Sequence, residues 1–500
     1  MKRLLFLDGE NYTDDMPEIV RTAVRGVIFA DGKLLLIEDN KNEVKLPGGG
    51  REEGETDIET LIREVREETG CTVIPETVRP FGYIEEKRKG FNEDMIWHQF
   101  SRLYFCRVTD ERSDTEYSEN EKKRGMRFRM YTIDEAIAKN SAMLNNIGKL
   151  AWNQREYRTL LLIKAYLEKE LENVFSLFFD ETPTVLRTID TSLDEADFRM
   201  TFIVETASGG KYVIKLADND FTFPEKIAVW QRTVEEYRKL GCYCPRIIGD
   251  KSGNFPIVDY HGHRCAAYCE EFAPYDPAEE RSAENFGQNE ALYNSYKRDI
   301  WKMTARIAAR YFDYTEYPSA YCLFETFCPS DKTDEVLENA LEWKKYADTL
   351  PDEFRERTER IWRLWTENRA ALEPIYKKLP TSVFQADLNE SNVLLDGEGR
   401  FVGVYDFNLC GREVFLNYLM RENGGVSGIC EALKIASEYY RFSDIEKNAA
   451  LLLYRCLKPL WYTRVTELKE AGSDREAIRR ALDETEHALT DPIDFTAYME

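Results

Sequence analysis

Three acidic residues, Glu64, Glu67 and Glu68, recur at spacings that place them on one face of a helix, with Thr60 one turn before them. Carboxylates gathered without a counter-charge repel one another, and magnesium or manganese, which prefer carboxylate and water oxygens, relieves that repulsion. Arg63 is placed to pair with a neighbouring carboxylate such as Glu67 and to hold it in a ligating pose. These residues belong to a longer pattern starting at Gly49, G-x5-E-x7-R-E-U-x-E-E-x-G-U with U apolar. Glu55, Arg63, Glu64, Val65, Glu67, Glu68, Gly70 and Cys71 fill its places. A solvated acidic helix is the plainer reading of such a cluster. Loop, cap, apolar stripe and acidic face nevertheless agree at so many fixed positions that metal-assisted chemistry is the stronger one.

A second set lies in the other half of the chain. Phe384 to Leu395 contains Asp387 and Asn392, a turn follows at Asp396 to Gly399, and Val402 to Phe407 carries Asp406. Folding 392 to 406 as a hairpin brings Asn392 and Asp406 to the same end, with Asp387 just before the first strand. Phosphoryl transfer asks for such a set: an acid near the acceptor hydroxyl, and an amide oxygen plus a carboxylate for magnesium on the nucleotide phosphates.

The elements that must position these groups are legible in outline. Ala23 to Ala30 is apolar and β-branched, Asp31-Gly32 is a tight-turn pair, and Lys33 to Ile37 resumes the pattern, which predicts a hairpin. Thr56 and Glu59 predict a capping box at the start of the acidic helix, Gly70 its stop, and Ile58, Leu61, Ile62 and Val65 its core-facing stripe. A helix is expected from Ile147 to Leu171, with Leu150, Tyr157, Leu160, Leu161 and Ile163 apolar. Strands are expected at Phe198 to Glu205 and Lys211 to Leu216, and mostly helix from about Glu284. A boundary at 172 to 178 divides residues 1–172 from 173–500, the latter split into a small lobe at about 180–272 and a large helical lobe at about 273–500.

Residues 49 to 71, led by Leu46-Pro47-Gly48-Gly49, resemble the Nudix hydrolase signature, and the resemblance covers the first domain. It implies an α/β/α sandwich around a mixed sheet, divalent metal on Glu64, Glu67 and Glu68, and Arg63, Glu67 and Glu68 as catalytic residues. Water would then cleave a nucleoside diphosphate linked to another moiety. Trp97, His98 and Tyr104 are base-contact candidates, although aromatic residues on such a strand are more often core. Glu119 and Glu121 lie in a loop where a general base would fit, and are equally readable as solvated acids.

The second domain resembles the aminoglycoside phosphotransferase and choline kinase group, whose pattern is H-G-D-x4-N followed by D-F or D-W. The resemblance implies a bilobal protein-kinase-like fold, so that the whole chain joins an α/β to an α+β domain. Asp387 would be the catalytic acid-base residue and Asn392 and Asp406 the metal ligands. Lys215, in Tyr212-Val213-Ile214-Lys215-Leu216, would contact the phosphates of ATP or GTP. Glu225, or alternatively Glu235, would pair with that lysine. Ala267 to Phe272, including Glu271 and Phe272, resembles the hinge that meets an adenine edge. Gln385 and Ala386 replace the usual His-Gly, Asn417 stands where an aspartate often follows, and Ser192 to Asp197 lacks the glycines of a phosphate loop.

The function expected is therefore a bifunctional, metal-dependent enzyme: a pyrophosphohydrolase joined to a kinase that phosphorylates a hydroxyl-bearing small molecule. The alternative is an active hydrolase carrying a kinase-like module that only binds a nucleotide or partner. The formal charge of -24 opposes nonspecific attraction to nucleic acid or anionic membrane. No apolar run approaches the roughly 20 residues that span a bilayer, so a cytoplasmic place is expected. The 11 cysteines show no C-x-x-C pair and read as reduced thiols, mostly core, and His261, His263, Cys265 and Cys269 match no standard zinc spacing.

Overall fold

The computed structural model describes residues 1–9, 11–30, 32–90, 94–144, 152–193, 196–280 and 289–500. Asp31, Ile147, Leu150, Asp194, Glu195 and Glu284, which enter the expectations above, lie outside them. The chain forms two compact units, residues 1–219 with 249–269, and residues 220–248 with 270–500. Among the described residues no helix is long and apolar enough to cross a membrane.

In the first unit a mixed five-stranded sheet runs in the order Arg3–Asp8, Arg79–Lys89, Ile96–Phe105, Glu18–Val27 and Gly48–Gly50. The expected single strand from Ala23 to Ala30 is instead two. Glu18–Val27 stays in this sheet, while Phe29–Ala30 turns back on Lys33–Glu38 in a second sheet with Arg127–Tyr131. Antiparallel register of Arg25 with Gly48 and Ala23 with Gly50 fixes the glycine loop on the central strand. Gly48 at φ 135° takes a backbone where a Cβ would lie 2.1 Å from the Val24 carbonyl oxygen, so only glycine fits.

The helix Asp57–Thr69 has both halves of the expected capping box, Glu59 N–H on Thr56 Oγ1 and Thr56 N–H on Glu59 Oε2, and ends on Gly70 at φ 75°. Leu61 and Val65 are buried against Val24, Ile28 and Leu35, and Ile62 packs at the edge of that cluster. Ile58 is 42% exposed and does not join the stripe. The later helix begins at Trp152 and runs to Phe178, past the expected Leu171. Its Leu160 and Ile163 enter a core with Leu34, Leu36 and Leu103, whereas Leu161 faces solvent. Beyond it, Thr184–Asp190, Phe198–Glu205, Lys211–Asp218 and His263–Glu271 follow one another across a further sheet.

The second unit is mainly helical, with Pro224–Lys239, Arg355–Tyr376, Phe415–Glu422 and Asp444–Leu457 among its helices. Trp343, Trp365, Phe384, Phe415 and Tyr418 are buried in its interior. Val393–Leu395 and Phe401–Val404 form the expected hairpin, with Val393 opposite Val404. All 11 cysteines are free, and only Cys242 and Cys430 are less than fully buried.

Candidate active sites

In the first unit the acidic helix is organised around one guanidinium. Arg63 gives Nε and Nη2 to the two Glu55 oxygens at 2.7 and 3.0 Å, and its Nη1 reaches Glu64 at 2.8 Å and Glu67 at 3.4 Å. Nη2 also donates to the Gly50 carbonyl at 3.1 Å. The expected Arg63–Glu67 pair is thus the longest of three, and Glu55 is the main partner. Hydrogen bonds from Arg63, the Glu52 backbone and Thr60 hold the Glu55 carboxyl down at about 2. A bidentate pair of this kind fixes both planes and so fixes where Glu64 and Glu67 stand.

Glu68 is turned another way, toward the Gly48 N–H at 2.7 Å and the Lys45 ammonium at 2.5 Å. Among the described residues no three His, Cys, Asp or Glu side chains converge as a metal-holding group. Two observations nevertheless fit a hard divalent cation. Burial pushes the Glu64 carboxyl up, Arg63 opposes this, and the Glu68 and Glu67 charges push it further up, which is the repulsion a cation relieves. Gly49 lies so close to Glu64 that a Cβ would come within 2.2 Å of its carboxylate oxygen, leaving that carboxylate room only because the loop has no side chain there.

The aromatic candidates separate. Tyr104 donates to Asp57 at 2.6 Å and Arg102 reaches the same oxygen at 2.7 Å, so Tyr104 anchors the helix start. His98 lies between Glu18 and Glu85. Trp97 lines a cavity of about 220 Å3 whose wall includes Arg21, Lys45, Arg88 and Arg155. Sequence reading missed these cations, which come from well-separated segments. Glu121 accepts the Ser118 N–H and hydroxyl at 2.8 Å in a helix cap, and Glu119 pairs with Lys122.

In the second unit Asp387 is held on both oxygens. Oδ1 accepts the Tyr321 phenol at 2.9 Å and the Asn389 amide at 3.1 Å, and Oδ2 accepts the Asn392 amide at 2.9 Å. Asn392 also donates to the Asp387 carbonyl at 2.8 Å, and its amide oxygen, the acceptor side of the group, faces only the Ser391 hydroxyl among the described residues, at a long 3.5 Å. The hairpin sets Asp406 beside this loop: Tyr405 N–H bonds the Asn392 carbonyl at 3.1 Å, and Asp406 takes a left-handed φ of 57°. A non-glycine residue held there marks a backbone fixed by its surroundings.

The departures from the kinase pattern gain a physical account. Gln385, fully buried, accepts the Asp387 N–H at 2.9 Å and donates to the Tyr405 carbonyl at 3.1 Å and to that of Asp406. It clamps the loop of Asp387 to the strand end of Asp406. Asn417, also buried, donates to the Tyr321 carbonyl at 2.9 Å and to Glu413 at 3.0 Å, and so supports the residue that caps Asp387. Tyr321 also opens on a cavity of about 530 Å3 with Glu335, Arg421, Lys458, Trp461 and Tyr462 in its wall. Burial pulls the Lys458 ammonium down to about 8, with Glu422 opposing.

Lys215 lies on Lys211–Asp218 with its ammonium 5.9 Å from the Tyr268 ring centroid. Glu225 is exposed in the first turn of Pro224–Lys239, and Glu235 pairs with Arg246 at 3.1 Å. Glu271 accepts the Arg246 N–H at 3.1 Å at the end of its strand, and Phe272 is 38% exposed.

Comparison with known proteins finds two families along the chain. Residues 20–150 match the NUDIX domain family and residues 192–415 the phosphotransferase enzyme family. An ADP-ribose pyrophosphatase of Methanocaldococcus jannaschii is 50% identical over 52 residues, 10% of this chain and 31% of that protein. A Bacillus subtilis relative is 27% identical over 93 residues, 18% of this chain and 43% of its own, so the chain spans less than half the length of these curated relatives. Among solved structures, a NUDIX hydrolase from Nitrosomonas europaea is similar at 23% identity and a TM-score of 0.22, covering 28% of this chain and 90% of that one. An aminoglycoside phosphotransferase from Alicyclobacillus acidocaldarius is similar at 13% identity and a TM-score of 0.38, covering 65% and 93%. The chain thus joins a domain of the Nudix family to a domain of the phosphotransferase enzyme family.

Proposed function

We propose that the chain is a bifunctional enzyme, with residues 1–172 hydrolysing a nucleoside diphosphate conjugate and residues 173–500 transferring a phosphoryl group from ATP or GTP to a small-molecule hydroxyl. The observation that carries the first half is the Arg63 hub, which fixes Glu55, Glu64 and Glu67 on one side chain beside Gly49. Glu64, Glu67 and Glu68 would hold magnesium or manganese, which would neutralise the diphosphate and activate water. Arg63 keeps Glu64 and Glu67 in place, while Glu68, turned to Lys45 and the Gly48 N–H, would swing from Lys45 to join them. Water attacks one phosphorus, the bond to the bridging oxygen breaks, and that oxygen leaves on the other phosphate. The ADP-ribose pyrophosphatase among the relatives supports an ADP-linked conjugate.

In the second half Asp387 accepts the proton of the acceptor hydroxyl as its oxygen attacks the γ-phosphorus and the bond to the β-bridging oxygen breaks. Asn392 and Asp406 are assigned to the metal and Lys215 to the phosphates. Glu271 and Phe272 are proposed to meet the adenine edge, and Glu225 to pair with Lys215. The cavity beside Tyr321, with aromatic walls and charges of both signs, suits a polar acceptor that has an apolar face. The test is ADP-ribose hydrolysis in magnesium by the full chain, with phosphorylation of a hydroxyl panel followed in parallel. Loss of hydrolysis in Glu55→Gln with transfer intact is expected, and equal hydrolysis by that variant would remove the basis of the first assignment.

A further inference from the structure

The cavity beside the acidic helix is unusual in a chain of net charge -24. Its wall carries Arg21, Arg25, Lys45, Arg88, Arg124 and Arg155 against one carboxylate, Glu86. Most of these cations are matched. Arg155 and Arg88 share Glu86 at 3.0 and 2.8 Å, Arg155 and Arg25 share Glu156, Lys45 pairs with Glu68, and Arg124 with Asp39. Among the described residues the wall itself carries six cations and one carboxylate. Arg25, Arg155, Glu86 and Glu156 are all buried, so their arrangement is built into the core rather than left to solvent.

Arg21 is the member without a carboxylate partner among the described residues. It donates to the Gln99 side-chain oxygen at 3.2 Å, and Gln99 is itself held on Ser101 at 2.9 Å. Its guanidinium lies against the glycine loop, where a Cβ on Gly50 would come within 2.7 Å of Nη2, and 5.8 Å from the Trp97 centroid. Arg88 is 5.9 Å from the same ring. A guanidinium that rests on Gln99 with no carboxylate ion pair among the described residues, beside two that share Glu86, matches the charge of a phosphate monoester.

We propose that this cavity is a subsite for a phosphate monoester carried by the substrate in addition to its scissile diphosphate. This rests on the hydrolase reading and names its substrate class: a phosphorylated nucleoside diphosphate conjugate rather than a plain one. The extra phosphate stands on either the nucleoside or the attached group, and Arg21 is a specificity residue for it.

The test uses ADP-ribose, its 2′-phosphate on the adenosine side and its 1″-phosphate on the terminal ribose. Their binding to the full-length Glu67→Gln protein in magnesium is measured by calorimetry, with and without Arg21→Ala. One phosphorylated form should bind at least about tenfold tighter than ADP-ribose, and Arg21→Ala should remove that difference while ADP-ribose binding changes less than about twofold. Which form gains tells which end of the substrate enters. Equal binding of the three ligands overturns the proposal, as does equal weakening of all three by Arg21→Ala, which would give Arg21 to the shared diphosphate. A preference that persists in a wild-type chain without hydrolysis would keep the subsite and sink the hydrolase reading. Matched thermal unfolding of both variants excludes loss of fold as the cause.

Discussion

Gln385 accepts the backbone N–H of Asp387 at 2.9 Å, and its amide group reaches back to the carbonyls of Tyr405 and Asp406. One buried side chain therefore sets the distance between the two acids of the second site. Gln385→Ala removes the acceptor of the part-buried Asp387 N–H and the donor that joins it to the Tyr405 and Asp406 carbonyls, at a cost of about 1–3 kcal/mol for the N–H. Phosphoryl transfer should fall by about a hundredfold, and hydrolysis by the first domain should stay within about twofold, as read by parallel assays.

The Tyr321 phenol donates to Asp387, and the backbone carbonyl of Tyr321 accepts from Asn417. Tyr321→Phe removes one bond to the carboxylate and keeps the ring. A fall of about tenfold in kcat for transfer is expected, with nucleotide binding unchanged. A KM effect alone would place Tyr321 in acceptor binding instead.

Arg63 is the counterpart in the first site. Arg63→Lys keeps the charge and loses the fork that grips both Glu55 oxygens and reaches Glu64. Hydrolysis should fall by about a hundredfold or more with little change in thermal stability. Gly49→Ala should act through the same carboxylate, since its methyl would push Glu64 aside. A metal titration followed by activity should shift to higher concentration in that variant.

Glu38 tests the fold of the first unit. It is 2% exposed and accepts from Arg127 at 2.8 Å, Lys139 at 2.6 Å and Tyr131 at 2.9 Å. Burial pushes its carboxyl up, but these donors outweigh burial and hold it at about 2. The folded value lies below the unfolded one, so the stabilisation is fully present above about pH 4.5 and is lost as pH falls toward 2. Glu38→Gln should be less stable than the parent at pH 7, and the gap, measured by denaturant unfolding, should narrow steadily below pH 4.5.

Much of this was legible from local spacing. The capping box at Thr56, the stop at Gly70 and the hairpin between Val393 and Val404 are set by residues a few positions apart, where sequence period and turn chemistry act directly. Arg63 was placed correctly on its helix, yet its main partner is Glu55 across the loop rather than Glu67 one turn on, because a bidentate fork outcompetes a single contact. The arginine cavity could not be read at all. Arg21, Arg88, Arg124 and Arg155 share no local period and meet only when two sheets and a helix close around them. Gln385 was visible only as a departure from a pattern, since its function depends on carbonyls twenty residues away.

The most direct test of two separate active sites in one chain is a magnesium- and manganese-dependent comparison of the intact protein with Glu67→Gln and Asp387→Asn. Nucleoside diphosphate conjugates, dinucleotides and nucleoside triphosphates are followed for hydrolysis, and a hydroxyl panel for phosphorylation. Hydrolysis of a conjugate lost only in Glu67→Gln, together with phosphorylation lost only in Asp387→Asn, is the predicted result. Hydrolysis that survives Glu67→Gln, or is absent across the whole panel, would contradict the assignment of the acidic helix as a hydrolytic centre.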